Sequence, residues 1–493
     1  MTGTHGYIRP KKKPSRVWQP TAGLKGITMS EDDPEVIIIL PEGERVSPKR
    51  RRVPPRCYSP VDFDEKKCLP KHLWRYAEDA RYVLGLILWQ TLMRFPKEVR
   101  KNADPGVELK AAYLRDTMTC KDRYRKVLDA LEKSGAIRCD HHYVEGRKCH
   151  TYWLGDLFSR KYETHIFTKT ALVANLVRRE KKEVADLTLL HQWLRDRLFL
   201  LDIDDMAAMK HLAGDPNAHL FALQVMAIKD KSPIRYDRDE YGRVHTNLTN
   251  LPSDLRQFLR LDGSPLVNLD IANSQPMFLG LVLHAPIGLK VPKGELSPEK
   301  QKLLQLLDPY SIPNQPLLPP TPLRSRIIKM DEKVVGEYLD CCCRGQLYET
   351  LGACVGLSRE EAKAGVLHAL YCDTAKWKKR RKALEEQYPE TAKTFKAFDQ
   401  LYPGLMKAVE SWKRGDYTRL PKAMQRLESY VVFQMICERV RRERPDTWLA
   451  TIHDSILCHP RDADYIRSVM LDEFSSIGAT PTIKRQDYGG SPS

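Results

Sequence analysis

The sequence predicts an α+β protein with several folded units that follow a basic N-terminal segment. The chain has 493 residues, which is too long for one ordinary hydrophobic core, so we expect two or three folded units. Apolar residues recur at helical spacing through much of residues 72–232. Strand-like runs, in contrast, stand next to turn or acidic residues around Gly146, Asp270 and Asp454.

The composition indicates a partner of opposite charge. The formal net charge is +17 with a pI near 9.2, and a folded protein with that excess usually binds a polyanion, for which nucleic acid is the first candidate. A generally basic proteome would give the same charge, so charge alone does not decide the question. No run approaches the roughly 18 uncharged apolar residues that cross a membrane, so we expect no membrane partner.

The cysteines indicate a reducing compartment. The N-terminus lacks a charged start followed by an apolar stretch, so secretion is not predicted and the 12 cysteines should stay reduced. Cys341, Cys342 and Cys343 are adjacent, a spacing that suits neither a disulfide framework nor a zinc site.

Residues 1–70 are predicted to be a disordered basic tail. The segment is rich in Pro, Lys and Arg and has little apolar periodicity. Its basic runs, Pro10–Pro14 and Pro48–Arg52, could bind phosphates or direct nuclear import, and a plain solvated linker would have the same composition.

Residues 72–157 are predicted to form a small helical unit that ends in a β-hairpin. A short helix, a polar turn at Thr117–Thr119 and a second helix that stops at Gly135 precede two strand-like pieces around Glu145–Gly146. This order resembles a winged-helix domain, whose second helix enters the DNA major groove. The resemblance implies DNA contacts from four cations, Lys121, Arg123, Arg125 and Lys126. Winged helices also bind proteins, and charged helix faces are often only solvated, so both alternatives stay open.

Cysteine and histidine residues cluster in the same hairpin and raise the question of a metal site. They are Cys139, His141, His142, Cys149 and His150. Their spacing matches no standard zinc finger, and a two-stranded hairpin can place them on opposite faces, so we expect no metal there.

Two aspartates stand in contexts suited to metal-assisted chemistry. Leu266–Ile271 predicts a strand, and Ser274 with Pro276 predicts a helix start, so Asp270 lies at a strand end. Asp454 lies between two apolar runs, as at the tip of a β-hairpin. A carboxylate in such a setting is costly unless it is paired or metal-bound, and Mg²⁺ prefers carboxylate ligands.

A predicted helix between these aspartates offers cations. Ser358 and Glu361 have the spacing of a capping box, which indicates where the helix begins. Four positions at four-residue spacing then share one face with a slow drift. They are Arg359, Lys363, Leu367 and Tyr371. Such a face could offer two cations to a triphosphate and a ring to a base.

The order of these elements resembles motifs A, B and C of the family A polymerases, which include bacterial DNA polymerase I and the single-subunit phage and mitochondrial RNA polymerases. The resemblance implies that Asp270 and Asp454 bind two Mg²⁺ ions, or Mn²⁺ in their place, for phosphoryl transfer. It also implies a nucleotide-binding set on the helix, namely Arg359 and Lys363 for the triphosphate, Tyr371 near the nascent base pair, and Leu367 beside them.

Two further stretches extend the resemblance. Asp239–Pro252 is similar to the family's elements before motif A, and Ala423–Ile436 is similar to the helix before motif C. The implied contacts to the primer–template duplex are Arg243, Thr246, Gln425 and His453. The resemblance implies a right-hand polymerase, with palm and fingers in residues 233–493 and a helical thumb-like region in residues 160–232.

The chain departs from the family pattern at three positions. Cys372 stands where the family commonly has Gly, and Ser455 makes the third motif similar to that of the RNA polymerases. Gln275 stands where DNA polymerases carry a Glu against the ribose 2′-hydroxyl and RNA polymerases carry Gly. Gln is large enough to obstruct a ribose but lacks the charge. Because the run that ends at Pro252 is more similar to the DNA enzymes, we favour deoxynucleotides.

The resemblance implies a template-directed DNA polymerase that binds a DNA primer–template and nucleoside triphosphates and replicates a plasmid, phage or other mobile element; an RNA template is left open. No apolar strand with an Asp-x-Glu core precedes the first motif, so a proofreading exonuclease is not expected. One alternative is a single-subunit RNA polymerase or primase, and another is a non-catalytic replication initiator or DNA-binding regulator on a polymerase scaffold. We expect a cytoplasmic, nucleoid-associated protein in bacteria or phage, or a nuclear one in a eukaryote.

Overall fold

The computed structural model of the chain describes residues 54–94, 106–158, 161–285, 297–307 and 330–489. These ranges belong to one unit, Val53–Ser493. Most of the predicted disordered tail, residues 1–53, lies outside the described residues. The predicted C-terminal boundary of the tail, residue 70, is corrected. Residues 56–68 form a strand and a short helix, and the apolar side chains of Tyr58 and Phe63 are buried there.

In the first part of the unit, the described residues up to Ile166 form five short strands and four helices. The strands are β1 Arg56–Pro60, β2 Val107–Glu108, β3 Ile137–Cys139, β4 Thr151–Leu154 and β5 Tyr162–Ile166. The helices are α1 Glu65–Cys68, α2 Ala77–Arg94, α3 Ala111–Thr117 and α4 Tyr124–Lys133, with 3₁₀ turns at Lys71–Tyr76 and Lys121–Arg123. Strand β4 lies between β2 and β3 in an antiparallel sheet, and β1 pairs with β5.

Helix α4 and the hairpin after it have the predicted local structure. Val127, Leu128 and Leu131 are buried along one face of α4, as the apolar spacing predicted. The chain leaves the helix at Gly135, whose φ of +78° is a left-handed conformation that glycine adopts without strain. Gly146 has a φ of +69° in the turn between β3 and β4. This part of the chain therefore has the order helix, turn, helix, hairpin.

A second group of helices and short strands follows. The helices are α5 Thr170–Ala185, α6 Leu189–Leu198, α7 Asp205–His211, α8 Ala218–Lys229 and α9 Asn247–Asn250, with a 3₁₀ turn at Ser253–Phe258. The strands are β6 Asp202–Ile203, β7 Tyr236–Arg238, β8 Val244–Thr246, β9 Leu259–Leu261 and β10 Ser264–Pro265. The predicted helical region 160–232 is thus corrected in part, because β5 and β6 lie within it and pair with β1 and β9.

A four-stranded antiparallel sheet packs one face against the largest hydrophobic core and the other face against a second core. Its strands are β11 Val267–Ile271, β12 Leu449–Ile452, β13 Ser455–Cys458 and β14 Ile483–Asp487, in the order β12-β13-β11-β14. The predicted strand before Asp270 and the predicted hairpin around Asp454 are both confirmed. Helix α10, Ser274–His284, continues directly from β11 and buries most of its side chains against the largest core.

Most of the remaining helices in the described residues pack around the largest core. They are α11 Pro298–Leu307, α12 Glu332–Cys343, α13 Leu347–Val355, α14 Arg359–Tyr371, α15 Thr374–Lys379, α16 Arg381–Gln387, α17 Pro389–Leu401, α18 Leu405–Lys413, α19 Arg419–Ser429, α20 Glu438–Glu443 and α21 Ala463–Ser475, with a π-helix at Tyr430–Cys437 and a 3₁₀ turn at Pro460–Asp462. Within the described ranges, no helix is both long and apolar enough to cross a lipid bilayer.

Helix α14 is held firmly at its C-terminal end. Gly365 lets it approach α17 closely, since a Cβ there would lie 2.9 Å from the carbonyl oxygen of Glu390. The buried Nζ of Lys413 donates to the carbonyl oxygens of Ala369 and Cys372, at 3.2 and 2.8 Å. Ala369 belongs to the last turn of the helix and Cys372 is its C-cap, where backbone carbonyls lack intrahelical donors. The position of the α14 C-terminus is therefore set by packing and by a buried cation.

Candidate active site

The central sheet brings the two predicted metal ligands to one end of adjacent strands. Asp270 on β11 lies opposite Ser455 on β13, and Asp454 directly precedes Ser455 in the hairpin turn, where its charge acts on Asp270. The β12–β13 hairpin turns at His453 and Asp454, and His453 has a φ of +57°, which tight hairpin turns require. Both aspartates are half-buried. Residues 184 positions apart thus form one acidic site.

The two carboxyl groups resist ionisation in the absence of a cation. Burial, and then the charge of Asp454, raise the pKa of Asp270 from its ordinary 3.8 to about 6. Burial likewise raises the pKa of Asp454. Raised values of this kind show that the protein does not fully compensate the two negative charges. The donor set, two adjacent carboxylates short of positive charge, fits hard divalent ions such as Mg²⁺.

Three cations reach this acidic site from different elements. Lys484 on β14 stands opposite Asp270 and lowers its pKa, as does Lys363 of helix α14, although burial outweighs both. Lys363 and Arg243 lower the pKa of Asp454 in the same way. The Lys363 side chain is exposed, so its ammonium can also meet an anion from solution. The predicted approach of the cationic helix to the aspartates is therefore present in the structure.

The other predicted positions on α14 have different surroundings. The capping box at its start is confirmed, with Ser358 and Glu361 bonded to each other's backbone. The Arg359 guanidinium donates to Glu349 of α13 at 2.7 Å, so this cation is already paired. Leu367 is half-buried.

At the end of α14, Tyr371 joins a row of hydrogen bonds beside the aspartates. Its hydroxyl donates to Oε1 of Gln275 at 2.6 Å and accepts from Nε2 of Gln425 at 3.4 Å. Nε2 of Gln275 in turn donates to the carboxylate of Glu428. Gln275, Tyr371 and Gln425, which the sequence nominated separately, are therefore in direct contact.

Glu428 is a member of the site that the sequence analysis missed. It is 2% exposed, and its Oε1 accepts from Nε and Nη2 of Arg243 at 3.0 and 2.7 Å. Oε2 accepts from Ser274 Oγ at 3.2 Å as well as from Gln275. Burial, opposed by Arg243, raises the pKa of Glu428 to about 6. A glutamate just before the apolar run that starts at Tyr430, one helical turn after Gln425, was the only sequence signal.

The four predicted duplex contacts lie in three different environments. Arg243 and Gln425 lie inside the hydrogen-bonded row, and His453 is exposed at the hairpin turn. The prediction that Thr246 contacts the duplex is corrected. Its side chain is only 4% exposed, and its hydroxyl accepts from the backbone N–H of Leu248 as a helix cap. A buried capping hydroxyl stabilises helix α9 and is not placed to contact nucleic acid.

The predicted DNA-contacting cations of the first part of the unit are exposed. They are Lys121, Arg123, Arg125 and Lys126. The first two lie on the 3₁₀ turn that leads into α4, and the last two lie on the helix itself. The opposite face of α4 is buried, so these cations share the solvent-facing side.

Three potential metal ligands converge in the β3–β4 hairpin, and one of them, Asp140, was not among the residues that the sequence nominated. One atom each of Cys139, Asp140 and His150 lie within 4.8 Å of one another. However, Asp140 already accepts from Nζ of Lys148 at 2.5 Å and from the N–H of Thr151 at 2.9 Å. Its carboxylate therefore stabilises the hairpin, and we assign no metal to this cluster.

Comparisons with known proteins find matches among solved structures but none by sequence. No family model matches the chain, and no curated protein matches it. Among solved structures, the chain is similar to the POL domain of Pol1 from M. smegmatis in complex with DNA primer-template and dNTP, at 10% identity and a TM-score of 0.24. The similarity covers 58% of this chain and 55% of that one, so the chain spans about half of that structure.

Proposed function

We propose that the chain is a template-directed nucleotidyltransferase, with Asp270 and Asp454 as the ligands of two divalent metal ions. One observation carries the proposal: two half-buried carboxylates meet at the end of the central sheet, beside Lys363 of helix α14. Such a pair is costly to maintain unless cations compensate it, and strongly perturbed carboxyl groups are typical of functional sites.

In this proposal the architecture is that of a right-hand polymerase. The four-stranded sheet with α10 and α19 is the palm, and α14 with the helices around it is the fingers. Residues 160–232 supply the thumb-like region. The unit formed by residues 72–157 is a winged-helix module that binds DNA through its exposed cations, which would place the polymerase at a chosen site on a plasmid, phage or other mobile element.

In this proposal each residue of the site has a separate role in phosphoryl transfer. Divalent ions in a site of this kind activate the attacking 3′-hydroxyl and neutralise the triphosphate. Asp270 and Asp454 bind these ions in their ionised form, which prevails at neutral pH even with a pKa near 6 for Asp270. Lys363, exposed beside the aspartates, pairs with the phosphates. Tyr371 and Gln275, held together by their hydrogen bond, bound the space for the sugar and base.

A DNA polymerase is the form of this activity that we favour. A single-subunit RNA polymerase or primase is the second candidate, because Ser455 follows Asp454 where the DNA enzymes usually have a second acidic residue. Here the Ser455 hydroxyl donates to the carbonyl oxygen of Ile452 at 3.0 Å and closes the hairpin turn.

Primer extension tests the proposal. The protein is incubated with Mg²⁺ and each of the four combinations of DNA or RNA template with dNTPs or NTPs. We expect extension by the wild type and none by Asp270→Asn or Asp454→Asn, with DNA affinity nearly unchanged since phosphate contacts dominate binding. The matched control is Asp262→Asn, at an exposed turn where a φ of +49° suits Asn as well as Asp. A wild type that extends no primer, or a D270N variant that extends it normally, would favour the non-catalytic scaffold.

A further inference from the structure

Helix α2 belongs to two hydrophobic cores at once. Its second half is largely apolar on all sides, and every residue of the helix up to Met93 is buried or half-buried, as expected for a helix without a polar face. Val83 lies in the core of the N-terminal module, residues 72–157, whereas Leu92 and Met93 lie in a separate core with Leu223 of helix α8. The helix that supports α4 within the module is therefore also packed against the part of the chain that follows the module.

Two side chains from the catalytic part of the chain hold the C-terminal end of α2. The carbonyl oxygen of Met93 accepts from Nη1 of Arg235 at 2.5 Å and from Nδ2 of Asn250 at 2.6 Å. Carbonyl groups in the last turn of a helix lack intrahelical donors, so these two hydrogen bonds supply partners that the helix itself cannot provide. Because Met93 is 3% exposed, water has little access to this end of the helix as a substitute.

Both donors are themselves held in place. The backbone N–H of Arg235 donates to Oδ1 of Asn247 at 2.7 Å. Asn247 and Asn250 are the first and last residues of helix α9, and Leu248 of this helix is buried in the second core together with Ile452 of strand β12. Strand β12 leads directly into the hairpin turn that carries one of the two site aspartates. A single helical turn thus connects the end of α2 to the candidate active site.

We propose that Arg235 and Asn250 are positioning residues that fix the orientation of the N-terminal module, so that a duplex bound by the module lies at one constant position relative to Asp270 and Asp454. The inference rests on the proposed function, which supplies the duplex and the reaction. Modules of one chain usually move relative to each other unless their interface is large and apolar. Apolar packing is not directional, whereas two hydrogen bonds to one carbonyl oxygen are.

A constant position determines where synthesis starts. The bound site and the primer terminus can be engaged together only at the spacing that matches the fixed arrangement, and simultaneous engagement raises the effective affinity about 100-fold or more. Because DNA turns once in about 10 base pairs, a change of spacing by about 5 base pairs directs the primer terminus away from the aspartates. A module on a loose connection would tolerate such a change.

Distances between two spin labels test the fixed orientation without any substrate. The labels are attached to unnatural amino acids in the full chain at two exposed positions, Asp129 on α4 and Arg467 on α21. We expect one narrow distance distribution in the wild type and a distribution about twofold broader or more in the double variant Arg235→Met with Asn250→Leu. Gln192→Leu is the matched control, because the Gln192 amide also donates to a backbone carbonyl oxygen, at 2.9 Å, but outside the module.

Primer extension with Mg²⁺ tests the consequence for synthesis. A duplex site that the full-length protein selects from random sequences is placed at increasing spacings from a primer terminus. We expect the wild type to extend one spacing about 100-fold better in kcat/KM than a spacing changed by about 5 base pairs. The double variant should lose about tenfold or more of that preference while it extends a primer without the site at the wild-type rate. If the double variant does not fold, Asn250→Asp keeps the size of the side chain, replaces the donor by an acceptor and should change both measurements in the same direction.

The outcomes separate this inference from the proposed function. Distance distributions that stay narrow in the folded variants overturn the role of Arg235 and Asn250. A wild type that selects no sequence, or that extends primers equally at all spacings, overturns the constant starting position and leaves the polymerase proposal standing. A wild type that extends no primer, with or without the site, overturns the proposed function itself, and the label distances then decide the orientation of the module alone.

Discussion

Replacing Asp270 by Asn should make the metal-free protein more stable while it removes activity. Burial and the charge of Asp454 raise the pKa of Asp270 from 3.8 to about 6, so ionising this carboxyl in the folded protein costs about 3 kcal/mol relative to water. The side chain is half-buried, and solvent screening reduces this figure, so we expect a gain of about 1–2 kcal/mol. For an unfolding unit of this length, with an entropy of unfolding near 0.9 kcal/mol per kelvin, that gain raises Tm by about 1–2 °C.

The stability difference between Asp270→Asn and the wild type should depend on pH. The folded protein binds the Asp270 proton more tightly than the unfolded chain does, so the wild type bears the full cost of the ionised carboxyl at pH 7.5. As the pH falls below about 6, the carboxyl takes up its proton in the folded protein, and the cost decreases until it is lost below the ordinary pKa of 3.8. The Tm difference between Asp270→Asn and the wild type should therefore shrink as the pH falls from 7.5 to 5.

Differential scanning calorimetry in EDTA, repeated with excess Mg²⁺, measures both effects. Mg²⁺ should raise the Tm of the wild type and of the Asp262→Asn control but leave Asp270→Asn nearly unchanged, because a ligand stabilises only the protein that binds it. If Asp270→Asn is no more stable than the control in EDTA, or if its advantage is as large at pH 5 as at pH 7.5, the description of two uncompensated carboxylates is wrong.

Four other predictions concern neighbouring groups. Lys363→Ala should raise KM for nucleotides about tenfold with little change in DNA affinity, measured by steady-state incorporation. Arg243→Gln should lower stability by about 3–5 kcal/mol in calorimetry, because it leaves the 2% exposed carboxylate of Glu428 without its cation. Mg²⁺ affinity in isothermal titration should fall as the pH drops below about 6, where Asp270 binds a proton that the metal must displace. Replacing four exposed cations by Ala should reduce the slope of log K against log salt for duplex DNA by about 2–4. They are Lys121, Arg123, Arg125 and Lys126.

Local patterns predicted the elements that present the site. Apolar runs on both sides of Asp454 were sufficient to predict its hairpin, and the Ser358 and Glu361 spacing predicted where helix α14 begins. These features depend on residues close together in sequence, whose hydrogen bonds and burial follow from backbone geometry. The roles assigned to the side chains by resemblance stay predictions.

Contacts between distant residues were not predictable in the same way. Arg243 and Glu428 are 185 positions apart, and nothing local indicates that one neutralises the other. Thr246 was expected to contact nucleic acid, yet its hydroxyl serves as a helix cap, a role that any Thr before a short helix can take. Residues 56–68 were predicted to be disordered but form a strand and a short helix. Their local sequence did not indicate this, because strand β1 depends on pairing with β5, about 100 residues later.

The most direct test of the account is anomalous diffraction from crystals of the wild type grown with primer–template, a non-hydrolysable dNTP and Mn²⁺. We expect two anomalous peaks roughly 3.5–4 Å apart between the carboxylates of Asp270 and Asp454, the separation typical of two-metal sites. Crystals in which Mn²⁺ binds elsewhere, for example only at Cys139, Asp140 and His150, while the two aspartates remain without metal, would contradict it.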